Sequence, residues 1–449
     1  MGTGAFRLHP NMPRLHPSET SELFGELVEG LVETNLKLVG DLMDETVDEI
    51  YEADASSTAE QLRGLLTRIH LQGRARSVAE WFSVVFAVYV LITAVSGIGT
   101  GFRIAAGDRA AELFDFADNP FVGLVIGILA TVLTQSSTTT TSIAVGMVAG
   151  GLPIDIAIPI LLGANVGTTV TSSLVSFGMA RNKKVFRRAF GAATVHDMYN
   201  LLSVLIFLPL ELMFRLLERT SQWLATHTAG SDGGPIAAVF SAIGSGVQTF
   251  IRPGAEILVW LVSPLPTMWA GIALILTGVL LILAVINFIG KMLRVLLVGR
   301  AERILFTAIG RGPMTGILSG LLITVMVQSS TTTTSLTVPL VGSGKLTVKQ
   351  IYPFTVGANI GTTLTALIAA FAFTGIEGEL ALQAAFVHVL YNVFSAAVIF
   401  GLPFLRPLPV RWAKWLAKIG SERKIYVVAW VLGVFVLIPS LAIVVTALV

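Results

Sequence analysis

From Trp81 onward the sequence alternates long apolar runs with short polar or basic breaks. A helix needs about 20 apolar residues to cross the ~30 Å hydrocarbon core of a bilayer. Seven runs reach that scale: Trp81–Gly99, Pro153–Gly178, Ala189–Phe214, Trp269–Ile289, Ile351–Gly375, Leu380–Leu405 and Ile425–Val449. Two more, Phe121–Gly150 and Gly316–Val341, are interrupted midway by polar residues. Residues 229–267 read as Gly/Pro-rich loop with a semi-apolar stretch at Ile257–Val262. Ahead of the first run, Val28, Leu31, Leu38, Leu42, Val47 and Ile50 recur at helical spacing and predict one or two amphipathic helices. The pattern predicts an all-α, multi-span membrane protein with two parts. These are a cytoplasmic helical segment over 1–78 and a membrane domain over 79–449.

Composition agrees. The chain is 54% hydrophobic and 13% charged, with no cysteine. Soluble domains carry roughly 25% charged residues, so an ordinary soluble enzyme and a disordered chain are both excluded. A disulfide scaffold has nothing to pair. The net charge of +2 conceals an imbalance: residues 19–54 hold twelve acidic residues and one basic, Lys37, whereas 73–449 hold 25 Lys/Arg and 15 Asp/Glu. No strongly basic domain points to nucleic acid. The N-terminus lacks the pattern of a signal peptide.

The basic residues cluster in three loops, which predicts orientation, because short basic loops stay cytoplasmic. One holds Arg181, Lys183, Lys184, Arg187 and Arg188; the next Lys291, Arg294, Arg300, Arg303 and Arg311; the last Arg406, Arg411, Lys414, Lys418, Arg423 and Lys424. The turn at 376–379 is acidic. All three loops fall inside only if the two interrupted segments enter and leave the membrane on the same side. The N-terminus then lies in the cytoplasm and the C-terminus outside.

The interrupted segments are copies. QSSTTTTS stands at 135–142 and again at 328–335; GANVGTT at 163–169 returns as GANIGTT at 357–363; His196-Asp-Met-Tyr-Asn200 returns as His388-Val-Leu-Tyr-Asn392. The order is kept, giving repeat 1 over about 119–214 and repeat 2 over about 312–405. The span after the first QSSTTTTS runs outside to inside, and its counterpart runs inside to outside, so the repeats are expected to be inverted. Inverted repeats with interrupted helices are an architecture of secondary transporters, whose sites lie where the repeats meet.

Seven hydroxyls and an amide in a row do not belong in lipid unless buried in protein or lining a cavity. A hydroxyl donates to an anion and, through a lone pair, coordinates a hard cation such as Na⁺. A broken helix adds N–H groups for an anion and carbonyls for a cation. Neither motif holds Lys or Arg. The positive charge for an anion must therefore come from co-bound Na⁺, which is a physical basis for coupling. The glycines of GAN-x-GTT permit close backbone approach to a ligand or, alternatively, a tight helix crossing. His196, Tyr199 and Asn200, like His388, Tyr391 and Asn392, share a helix face. Both histidines read best as hydrogen-bonded helix contacts. Asp197 is an intramembrane carboxylate without counterpart, since Val389 replaces it, and it is expected near Arg188. No phosphate-binding G-x-x-x-x-G-K-[ST] loop, metal-ligand spacing or nucleophile–base pair is present, so no ATP-driven pump or enzyme is indicated.

These motifs resemble the type II sodium–phosphate cotransporter family, whose hallmark is a doubled Q-S-S motif in inverted repeats, each followed by G-A-N-[IV]-G-T. Phe186-Arg-Arg-Ala-Phe190, His196-Asp197 and LLSVLIFLPLE over Leu201–Glu211 are also similar. The resemblance covers about 121–214 and 313–405, plus the first span. It implies sodium-driven import of inorganic phosphate by an elevator-like alternating access, homodimers in a plasma or inner membrane, and Na⁺ as coupling ion without another cofactor. By carry-over, Ser136, Ser137, Thr138, Asn165, Ser329, Ser330, Thr331 and Asn359 contact phosphate. Gln135, Thr139, Thr140, Thr168, Thr169, Gln328, Thr332, Thr333, Thr362 and Thr363 contact sodium. Threonines follow QSS where many members have a third serine, and the hydroxyl is kept. Electrogenic members carry an acidic residue upstream of the first motif, where Glu112 and Asp115 stand. Other readings are a carrier of another oxyanion, such as sulfate or a carboxylate, and a non-transporting membrane sensor with the acidic N-terminus as its output.

Overall fold

The computed structural model describes residues 73–106, 119–229, 234–309 and 312–437. The acidic segment expected over 1–78 lies, up to residue 72, outside the described residues, as do Glu112 and Asp115.

Helix α1 (Gly73–Ala106) starts ahead of the boundary expected at 78. The first repeat follows as α2 (Pro120–Thr134), α3 (Ser137–Ala149), α4 (Ile154–Gly167), α5 (Val170–Phe177) and α6 (Lys183–Phe214). Between the repeats run α7 (Leu216–Ala229), α8 (Gly234–Val262) and α9 (Thr267–Ala308). The second repeat comprises α10 (Pro313–Val327), α11 (Ser330–Ser335), α12 (Thr337–Ser343), α13 (Val348–Ala370) and α14 (Gly375–Gly401). The chain continues through α15 (Leu408–Glu422) and α16 (Ile425–Leu432) to a π-helical turn, Gly433–Leu437.

Six stretches are long and apolar enough to cross a membrane: Val78–Ala105, Ile154–Phe177, Lys183–Phe214, Thr267–Ile289, Val348–Ala370 and Gly375–Gly401. They coincide with six of the seven expected spans. The seventh, Ile425–Val449, is described only as the short α16 and its π turn; residues 438–449 lie outside the described residues. The stretch 229–267, which the sequence leaves ambiguous between loop and apolar segment, is mostly α8. One of its glycines marks packing rather than a turn. Gly254 sits against α1, where a Cβ would fall 2.6 Å from the Tyr89 hydroxyl. The acidic Glu377 also lies in the first turn of α14 rather than in a loop.

Local chemistry sets the helix ends. Asn119 caps α2 through its side chain, with Pro120 at the first helical position. Thr347 and Gln350 form a reciprocal capping box on α13. After Arg215 at φ 51°, the buried Glu211 carboxylate accepts from the N–H of Leu217 at 2.6 Å and of Glu218 at 3.2 Å. The end of the LLSVLIFLPLE stretch thus makes the corner between α6 and α7.

The repeats interleave. One apolar cluster, including Ile98, Val145, Leu161 and Ala385, joins α1, α3, α4 and α14. A second, including Phe186, Phe190, Ile351 and Phe354, joins α6 to α13. Gly342 of α12 packs against Ala189 of α6.

Candidate binding site at two broken helices

The polar octapeptide breaks its helix at only two residues. Gln135 takes the left-handed conformation at φ 53°, and Gln328 does the same at φ 55°. The following serines are extended N-caps with nearly superposable backbones, φ −153° and ψ 107° at Ser136 against φ −153° and ψ 106° at Ser329. Ser136 Oγ accepts from the Thr139 N–H, and Ser329 Oγ accepts from the Thr332 N–H, both at 3.1 Å. From Ser137 and Ser330 onward the hydroxyl residues are helical, not loop. Helix geometry leaves the N–H groups at N1 and N2 without intrahelical acceptors. In α3 these belong to Ser137 and Thr138.

Each glutamine side chain folds back on its own helix end and reaches across to the next span. Gln135 Nε2 donates to Val132 O and Gln328 Nε2 to Val325 O, each at 2.7 Å. Gln135 Oε1 accepts from Thr171 Oγ1 at 2.5 Å, and Gln328 Oε1 accepts from Thr365 Oγ1 at 2.7 Å. Sequence reasoning missed both threonines. Their signal is the third threonine of GTTVT at 167–171 and GTTLT at 361–365.

The glycines of the GAN elements make helix crossings. A Cβ on Gly163 would overlap the Leu124 carbonyl, and one on Gly127 the Ile160 carbonyl; Gly357 faces the Ile317 carbonyl and Gly320 the Phe354 carbonyl in the same way. Of the two readings, the crossing is therefore the one these glycines serve, with backbones in contact. Thr168 and Thr362 donate to Ala164 O and Ala358 O, both at 3.0 Å. Thr169 and Thr363 donate to Val166 O at 3.1 Å and Ile360 O at 2.7 Å. Each hydroxyl keeps acceptor capacity.

The asparagines join the repeats. Asn359 Oδ1 lies 2.6 Å from His196 Nε2, Asn359 Nδ2 donates to Asn200 Oδ1 at 2.6 Å, and Asn200 Nδ2 donates to Asn165 O at 2.6 Å. The mirror set is not closed. Asn392 Nδ2 donates to His388 O within its own helix at 2.9 Å, and neither ring nitrogen of the buried His388 has a hydrogen-bond partner among the described residues. The expectation of a bonded helix contact therefore holds for His196 and is corrected for His388. Asp197 is fully buried and accepts from Trp430 Nε1 of α16 at 3.1 Å, which ties α6 to the C-terminal helix. No ion pair with Arg188 is among the described ones.

The two polar breaks approach each other through α5. Ser172 Oγ lies 3.3 Å from Thr334 Oγ1 and 3.4 Å from Ser335 Oγ. Among the described residues, Thr139 Oγ1, Ser142 Oγ and Ser173 Oγ are buried without hydrogen-bond partners. Unpaired buried hydroxyls are uncommon and mark places where another polar group is expected. Thr138, Gln328 and Thr365 line a partly open cavity of about 350 Å³ whose other lining residues are apolar and include Trp81 and Ile289. That cavity adjoins the hydroxyl cluster and is too apolar to be an oxyanion pocket itself. Among the described residues no group of three or more His, Cys, Asp or Glu has metal-site geometry.

Residues 90–221 and 280–405 match the Na⁺/Pi-cotransporter family, and both sets of motifs fall within the match. The chain is 31% identical to the rat sodium-dependent phosphate transport protein 2A over 419 residues, covering 79% of this chain and 66% of the relative. It is 30% identical to the human sodium-dependent phosphate transport protein 2B over 435 residues, covering 78% of this chain and 63% of the relative. The chain thus spans just under two thirds of the length of these relatives. No solved structure matches it. With both broken helices and their GAN partners inside the matched segments, the chain belongs to the Na⁺/Pi-cotransporter family.

Proposed function

We propose that this protein is a sodium-coupled secondary transporter that imports inorganic phosphate by alternating access. The observation that carries the reading is the doubled break at Gln135–Ser136 and Gln328–Ser329. Two superposable helix junctions each present hydroxyls, and no lysine or arginine lies in either motif or its GAN partner. Phosphate oxygens take donors from Ser136, Ser137 and Thr138, with the matching Ser329, Ser330 and Thr331, at the positive end of the helix dipole. Sodium takes oxygens from the threonine hydroxyls, the glutamine amides and the carbonyl ends of α2 and α10. Without a fixed cation, each bound Na⁺ strengthens phosphate binding, and phosphate strengthens sodium binding by the same factor.

In this reading the repeats are inverted, each broken pair enters and leaves on one side of the membrane, and the three basic loops face the cytoplasm. The names of the rat and human relatives, the family match and the unpaired hydroxyls at Thr139, Ser142 and Ser173 support it. An elevator-like motion and a homodimer complete the proposal.

Reconstitution into liposomes tests it. Labelled phosphate should accumulate when Na⁺ is high outside and stay at background when K⁺ replaces it. Excess sulfate or succinate should leave that uptake intact, and uptake blocked by either would reassign the substrate.

A further inference from the structure

The basic residues of two distant loops do more than mark one side of a membrane. Lys184, Arg187 and Arg188 on the first turns of α6 meet Lys414 of α15 around a cavity of about 490 Å³. Its floor is apolar, formed by residues such as Val341, Leu346 and Ala417, and no carboxylate lines it. All four cationic side chains are exposed. None has an ion-pair partner among the described residues. The Arg188 guanidinium lies against Gly344, where an added Cβ would come within 2.5 Å of it. A second cavity, of about 890 Å³, adjoins the first turn of α15 and is lined by Lys349, Arg406 and Arg411 among others.

Helix α15 itself is amphipathic. Ala413, Leu416, Ala417 and Gly420 are buried, and α15 packs on α6. The outward face carries Arg411, Lys414 and Lys418 together with Trp412 at 36% and Trp415 at 62% exposure. Tryptophan beside lysine and arginine on one exposed face is the composition of a helix lying at headgroup level, with rings toward the acyl boundary and cations toward phosphate.

We propose that the Lys184–Arg187–Arg188–Lys414 cavity binds the phosphate headgroup of an anionic phospholipid, with α15 as the surface that holds the lipid beside it. Charge complementarity and the place of Lys184, Arg187 and Arg188 at the very start of a helix long and apolar enough to cross a membrane favour a lipid headgroup over a free ion, and Trp412 and Trp415, elsewhere on the exposed face of α15, suit the same interface. Basic pockets between membrane helices hold phospholipid headgroups in this way. The site is separate from the broken helices, and its binding is read without turnover, so it stands or falls independently of the transport reading.

The test uses the full chain purified in a neutral maltoside detergent and dioleoyl phosphatidylglycerol as probe, with retained lipid followed by native mass spectrometry across a titration. The wild type binds saturably. Lys414→Gln weakens binding about fivefold, and Arg187→Gln/Arg188→Gln/Lys414→Gln weakens it roughly a hundredfold. Arg181→Gln/Arg423→Gln/Lys424→Gln removes the same charge from neighbouring surface outside the cavity, and the expected change is within about twofold. Equal losses in the two triple variants would reduce the effect to diffuse surface charge and overturn the site. Release of the lipid by inorganic phosphate would assign the cavity to the free anion and overturn the lipid reading. Because Lys414 is exposed, the single variant keeps the test decisive even if a triple variant does not fold; unchanged binding in Lys414→Gln overturns the proposal.

Discussion

The two repeats carry the same octapeptide, yet they are alike in some bonds and unlike in others. At the breaks and the glycine crossings the copies agree. Both glutamines are left-handed, both serines cap, both amides hold a threonine of the next span, and both pairs of glycines bring backbones into contact. Where a bond depends on how the arms or the repeats are arranged, the copies differ. Thr131 donates to Thr140 at 2.9 Å across the first break, whereas the matching Thr324 hydroxyl is buried without a hydrogen-bond partner among the described residues. His196 reaches Asn359 across the repeats, whereas His388 has no hydrogen-bond partner among the described residues. Near-identical sequence fixes local geometry but not the arrangement, so one sequence motif is held in two environments at once. Such a difference is what the alternating-access reading proposed above expects of two repeats in one conformation.

One difference has a covalent cause. The helix after Ser137 runs unbroken to Ala149, but its counterpart divides at Leu336 into α11 and α12. Pro339 stands there at the position of Gly146. Proline has no N–H to give to the carbonyl four residues back, which loosens the helix at that turn.

The largest expected effect tests what the repeats share. Gly163→Ala and Gly357→Ala each drive a methyl into a carbonyl of the facing helix, and overpacking of this kind costs about 1–3 kcal/mol or more. Both should strongly reduce monodisperse protein in size-exclusion chromatography. A normal profile from either would mean that the crossing is looser than described. Next, Gln135→Ala and Gln328→Ala remove a helix-end bond and leave Thr171 or Thr365 unpaired. Sodium-driven phosphate uptake should fall roughly tenfold or more in each, with folded protein retained, a tenfold loss being about 1.4 kcal/mol. Wild-type uptake in both variants would displace the site from the breaks.

The remaining tests probe where the repeats part. His196→Phe strands Asn359 Oδ1, and thermal unfolding in detergent should report a loss of about 1–3 kcal/mol. His388→Phe strands nothing and should unfold at or above the wild-type temperature. Equal losses would show that the network is closed on both sides. Smallest is the pair Thr131→Val and Thr324→Val. The first should cost about 1 kcal/mol for one hydrogen bond and the second close to none, measured the same way. A larger loss at Thr324 would reverse the assignment of the two arms.

Much of this was legible in the sequence, for physical reasons that also explain the misses. Spans announce themselves through length and apolarity, and the doubled QSSTTTTS marked the breaks because polar runs cannot sit unassisted among apolar flanks. The helix α8 was hidden, because glycine and proline signal turns in water but crossings and tolerated kinks among packed helices. Thr171 and Thr365 were missed because they lie two residues beyond the GTT element, inside what reads as ordinary span. The His196–Asn359–Asn200 chain joins residues more than 150 positions apart, and no local pattern encodes which helix faces which. The two-residue width of the break was also unreadable. Serine caps a helix as readily as it lines a loop, so the octapeptide alone did not separate its first two residues from the helical remainder.

Central to the account is that no fixed cation serves the site, and that sodium supplies the charge phosphate needs. Equilibrium binding of phosphate to the purified protein, measured by calorimetry in sodium chloride and in potassium chloride at equal ionic strength, tests this most directly. Phosphate binding should be measurable only with sodium, and the sodium affinity should rise with phosphate by the same factor. Phosphate binding of equal strength in both salts would contradict it.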